Sequence, residues 1–75
     1  MTSRHELLVF RLLLSGRRLT TTQIGRPTTI ALSREALLVR ERNLSGPVEP
    51  SHRWRLTRLG RNVARLVGRT ASHRF

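Results

Sequence analysis

The chain has 75 residues, enough for one small domain that buries about 60–65% of its unfolded surface and is stable by a few kcal/mol. Fifteen basic residues, all arginine, face four glutamates and no aspartate, for a formal net charge of +11. There is no cysteine, which excludes disulfides and thiolate metal sites; the charge implies a polyanionic partner or an acidic protein surface, because guanidinium is planar, permanently charged and able to grip phosphate with two donors.

Ser3-Arg4-His5-Glu6 is a capping-box pattern and predicts a first helix running to about Ser15. Leu7, Leu8, Phe10, Leu12, Leu13 and Leu14 leave only Arg11 as a clear solvent position, so this helix should be covered on more than one side. The apolar run is far short of the ~18 residues of a membrane span and lacks a small-residue cleavage site, so the expectation is a core helix of a cytoplasmic protein. Gly16 can take the left-handed conformation that ends the helix.

Arg17-Arg18-Leu19 reads as a short extended connection, and Thr20 with Gln23 as a second capping box opening a short helix at about Thr21–Gly25, with Ile24 inward. Pro27 suits the first turn of a third helix over about 28–42, since its missing N–H costs nothing there. The wheel of that helix has no clean apolar face, which also fits a break near Ser33; Asn43 would terminate the longer version. Ser45-Gly46-Pro47 is a turn. Val48-Glu49 can pair with Arg53–Leu56 as an antiparallel ribbon over about 48–56.

Within that ribbon Trp54 and Leu56 alternate with Arg53 and Arg55, the period of two of a half-buried strand. Thr57 can cap a fourth helix in which Leu59, Val63, Leu66 and Val67 share one face and Arg58, Arg61, Arg65 and Arg69 occupy much of the other. The domain should therefore span 1–67, with 68–75 a basic flexible tail.

Trp54-Arg55-Leu56-Thr57-Arg58-Leu59-Gly60-Arg61 resembles the aromatic-x-Leu-Thr-x-x-Gly-(Arg/Lys) signature that closes the wing in winged-helix regulators such as the PadR-like and MarR-like families. Leu37-Leu38-x-x-Glu41-Arg42-Asn43-Leu44 is similar to the end of their recognition helix, and the likeness runs over about residues 3–67. It implies an α+β, mostly α fold: a winged helix-turn-helix with a three-helix core, a two-stranded β wing and a C-terminal helix. It implies also that the threonine caps the last helix and that the glycine allows close packing. Helix 2 and the wing are shorter than in those families, and the extra helices by which their members dimerise are not seen, so the expectation is closer to a bare winged-helix module.

From the family, helix 3 is expected in the major groove and the wing on backbone or minor groove. Thr28, Thr29, Ser33, Arg34 and Arg40 are then the groove-facing candidates, Arg26 a phosphate contact at the corner, and Arg53 and Arg55, with His52 at the wing tip, the wing contacts. The implied function is a small DNA-binding transcriptional regulator of phage or mobile-element type, bound to double-stranded DNA as a monomer or weak homodimer. The alternative is a protein-binding modulator that docks on an acidic host factor such as RNA polymerase. No cofactor, metal, membrane partner or catalytic residue is expected: His5, His52 and His73 have no ligand spacing, and no nucleophile–histidine arrangement or glycine-rich phosphate loop occurs.

Overall fold

A computed structural model describes residues 3–42 and 46–72. Its elements run α1 (Arg4–Leu14), β1 (Leu19–Thr20), α2 (Thr21–Ile24), α3 (Arg26–Arg34), β2 (Leu38–Arg40), β3 (Arg53–Leu56) and α4 (Arg58–Ser72). The architecture is α+β and mostly helical. β3 lies in the middle of a three-stranded antiparallel sheet of order β1-β3-β2. Leu19 faces Trp54 on one side of β3, and Leu38, Val39 and Arg40 face Leu56, Arg55 and Trp54 on the other.

Local chemistry sets most boundaries. Ser3 Oγ accepts from the Glu6 N–H at 3.2 Å and opens α1. Gly16, at φ 96°, closes it. Thr20 and Gln23 form a full capping box at α2, the threonine hydroxyl accepting from the Gln23 N–H and the glutamine carbonyl from the Thr20 N–H. One residue, Gly25, separates α2 from α3, and its φ of 96° lets the chain turn that sharply. His5 Nε2 donates to the Ile24 carbonyl and ties α1 to this corner.

α3 ends at Arg34, eight residues before the expected 42, and the last part of the predicted helix is strand β2. The Leu37 N–H donates to the Leu32 carbonyl at 2.9 Å and the Ala36 N–H to the Ser33 carbonyl at 3.0 Å. That is a Schellman closure with Ala36 at φ 60° in the position glycine normally fills. Leu38–Arg40 then takes the edge of β3 that the predicted ribbon gave to Val48-Glu49, which is not a strand. The expected two-stranded wing is thus a three-stranded sheet with different pairing, and the predicted turns at Asn43 and Ser45 lie outside the described residues.

The core joins Val9, Phe10 and Leu13 of α1, Ile24, Leu32, Leu37 and Leu38 to Trp54 and Leu56 of β3 and Ala64 of α4. Thr57 Oγ1 accepts from the Gly60 N–H at 2.9 Å and donates to the Ala36 carbonyl at 2.6 Å, so the cap of α4 also fastens it to the α3–β2 turn. A Cβ on Gly60 would stand 2.1 Å from the Leu37 carbonyl oxygen, so only glycine permits this approach. The close contact turns α4: Gly60 and Ala64 are buried, Val63 and Val67 half-buried, and Leu59 and Leu66 exposed, contrary to the predicted apolar face. α4 also continues past Val67 to Ser72, into the stretch expected to be a flexible tail. On α1, too, Leu8 and Leu14 are exposed, so that helix is covered on fewer sides than its sequence suggests. Among the described residues no helix is long and apolar enough to cross a membrane.

Candidate nucleic-acid interface

The arrangement starts at Trp54. Its side chain is buried at 3% exposure, and its indole Nε1 donates to Thr21 Oγ1 at 2.8 Å. The Thr21 N–H in turn donates to the His52 carbonyl at 2.9 Å, and the Thr22 N–H and hydroxyl both reach the Pro50 carbonyl, at 3.3 and 3.2 Å. The first turn of α2 is thereby bound to the loop that leads into β3. A buried indole N–H without an acceptor costs about 1–3 kcal/mol, so this bond both stabilises the core and fixes the loop against the α2–α3 corner.

With Trp54 and Leu56 held inward, strand geometry forces Arg53 and Arg55 outward, and both are exposed. Arg53 stands opposite Thr20 on β1 and Arg55 opposite Val39 on β2. By the same alternation Glu41, whose N–H donates to the Arg53 carbonyl at 2.9 Å, falls on the face of Val39 and Arg55. One Glu41 carboxylate oxygen lies 3.8 Å from Arg18 Nε, and Arg18 Nη1 also donates to the Gly16 carbonyl at 3.1 Å. Both partners are partly exposed, so the pair is worth about 0–1 kcal/mol. It matters more as a carboxylate set between Arg18 and Arg53 on this face. At the open end of the β2–β3 pair a recess of about 290 Å³ is lined by Arg40, Glu41, Arg42, Ser51, His52 and Arg53. With Arg42, Arg53 and Ser51 beside the Glu41 carboxylate, the opening carries a net positive charge, which suits a phosphate oxygen.

The predicted contacts divide into exposed and structural. Arg26, the first residue of α3, and Arg34, its last, are exposed. They are about 12 Å apart along the axis at 1.5 Å per residue, close to the width of a major groove. Pro27 and Ala31 are exposed between them and Thr28 is half-buried. Thr29 is fully buried, with its hydroxyl donating to the Gly25 carbonyl at 2.8 Å, and the Ser33 Oγ is shut off from solvent without a partner. Neither hydroxyl faces outward, because both are turned to the buried side of α3 that also carries Leu32.

Arg40 is on β2, not on a helix, and it shares the inner face with Trp54. Its guanidinium carbon stands 5.5 Å from the centre of the Trp54 ring, and Nη2 donates to the Gly46 carbonyl at 2.7 Å. His52 is half-buried; Nδ1 accepts from the Glu49 N–H at 3.1 Å, which assigns the proton to Nε2, 3.7 Å from a Glu49 carboxylate oxygen. Both residues hold the loop rather than present donors to a partner. Sequence reasoning missed Arg42 in the recess and Glu41 opposite Arg53; continuing the two-residue alternation through 38–42 would have found them.

Among the described residues no group of three His, Asp or Glu side chains could hold a metal ion. Compared with family models, with curated proteins and with solved structures, the chain matches none.

Proposed function

We propose that this chain is a winged-helix protein that binds double-stranded DNA and acts as a transcriptional regulator. The observation that carries the reading is the exposed pair Arg53 and Arg55 on the central strand, anchored from behind by Trp54 and Leu56. Around it, the order α1-β1-α2-α3-β2-β3 with sheet order β1-β3-β2 is the arrangement a winged helix requires, and the tight Gly25 corner sets α3 directly after α2.

In this reading α3 lies across the major groove with Arg26 and Arg34 reaching phosphates on its two sides. Ala31 offers a methyl surface of the kind that contacts thymine, Arg34 is also within the class that reads guanine, and Thr28 is the remaining polar contact. Arg53 and Arg55 grip the backbone beside the groove, and Arg42 with the recess takes a further phosphate. Arg40, Thr29, Ser33 and His52 maintain the scaffold. Affinity then comes mainly from the backbone, and base selectivity from a few positions on α3.

The test is a fluorescence-anisotropy titration of a labelled mixed-sequence duplex with the parent chain and with Arg53→Gln/Arg55→Gln. The double variant is expected to bind at least ten-fold more weakly at every sequence tried. Equal binding by parent and variant, or no binding by a folded parent, overturns the proposal.

A further inference from the structure

α4 carries a second surface that the DNA reading leaves unused. Leu59 and Leu66 are 52% and 62% exposed and, seven residues apart, lie on the same side of the helix. Beside them Arg58, Arg61, Arg65 and Arg69 fall within an arc of about 80°, all exposed. No acidic residue occurs anywhere in α4, and among the described residues none of these four arginines makes an ion pair. Arg61, Arg65 and Arg69 are spaced by four, the spacing at which like charges repel, and Arg58 sits in the first turn, where the helix dipole disfavours a cation. The helix thus bears an unrelieved positive ridge parallel to an exposed leucine edge.

We propose that this face docks an acidic amphipathic helix of a partner protein. At 1.5 Å per residue the arginine ridge runs about 16 Å along the axis and the leucine edge about 10 Å beside it, the shape that a second helix lying alongside would match. Apolar residues of the partner would cover Leu59 and Leu66, and its carboxylates would pair with the arginine ridge. Duplex DNA satisfies the arginines but would bury the leucines against phosphate. A second copy of this chain covers the leucines but brings its own ridge of four arginines against the first. Only a partner that is both apolar and acidic answers both stripes. So small a patch fits a transient contact rather than a permanent one. The inference is independent of DNA binding by the sheet face.

The experiment uses the full chain and two labelled helical peptides of one design, with leucines at seven-residue spacing flanked either by glutamate or by glutamine. The glutamate peptide is expected to bind, and the glutamine peptide at least ten-fold more weakly. Leu59→Gln/Leu66→Gln and Arg61→Gln/Arg65→Gln should each weaken the glutamate peptide at least ten-fold and change duplex affinity less than two-fold, with cooperative melts like the parent. The proposal fails if the parent does not bind the glutamate peptide, if binding is indifferent to either double substitution, or if the arginine pair weakens duplex binding as much as peptide binding. It fails also if sedimentation shows a dimer that the leucine pair abolishes.

Discussion

Two glycines of α4 should respond to alanine with opposite signs. At Gly68 a Cβ meets nothing within 4 Å, so Gly68→Ala gains the helix propensity of alanine, about 0.8–1.0 kcal/mol. At Gly60 the same methyl would lie 2.1 Å from the Leu37 carbonyl oxygen, 3.0 Å from its carbon and 3.1 Å from Leu56 Cδ2. Backbone on both sides must move to open that gap. Overpacking of this kind costs about 1–3 kcal/mol, and displacing α4 also weakens the Thr57 cap, worth about 1 kcal/mol. After subtracting the propensity gain, Gly60→Ala should be destabilised by about 1–3 kcal/mol. For a domain of this size that is a fall in Tm of roughly 5–20 °C, against a rise of roughly 4–8 °C for Gly68→Ala. Circular dichroism melts at 222 nm, a far-ultraviolet helix band, with urea titrations to check the free energies, give both numbers. A Gly60→Ala protein as stable as the parent would refute the close seating of α4 on the α3–β2 turn, and with it the reason the leucines of α4 face outward.

Other substitutions probe separate links. Trp54→Ala should cost about 3–5 kcal/mol through the cavity it leaves, enough to unfold so small a domain; a cooperative melt near the parent Tm would place the indole outside the core. Ala36→Gly relieves a residue at φ 60°, and the gain of about 1–2 kcal/mol, offset by about 0.5–1 kcal/mol of lost chain entropy, should leave the protein equal or slightly more stable in urea; a clear loss would deny the left-handed turn. Glu41→Gln removes the one carboxylate opposite Arg53 and releases Arg18 from its ion pair, so duplex affinity should rise several-fold at low salt; an unchanged or weaker affinity would remove that face from the interface.

What could be seen in the sequence was whatever depends on a few neighbouring residues. The hydroxyl cap at Ser3, the full box at Thr20, the turn at Gly16, the alternation at 53–56 and the Thr57–Gly60 junction all carry their geometry in their own side chains. The end of α3 does not. Ala36 occupies a left-handed position with no glycine to mark it, and 30–42 is rich in good helix formers. What makes Leu38–Arg40 a strand is β3, distant in sequence, offering an edge. The orientation of α4 was hidden for a related reason. Leucines outweigh glycine and alanine on a helical wheel, yet the small residues decide where backbones can meet, so the core side is Gly60 and Ala64. The missed end of α3 accounts for Arg40, which moved from helix to strand and onto Trp54; Thr29 and the Ser33 hydroxyl were misplaced for a separate reason, the side of α3 that faces the core. Arg26, Arg34, Arg53 and Arg55 stayed outside because the first two bound a helix and the last two alternate with core residues on a central strand.

The central claim is that an exposed arginine surface on α3 and β3 binds the DNA backbone, and counterion release measures that directly. Duplex affinity determined by anisotropy from 50 to 300 mM salt, a range spanning the usual electrostatic window, should fall with a log–log slope of about −5, as expected for about six neutralised phosphates. A slope near zero would contradict the account.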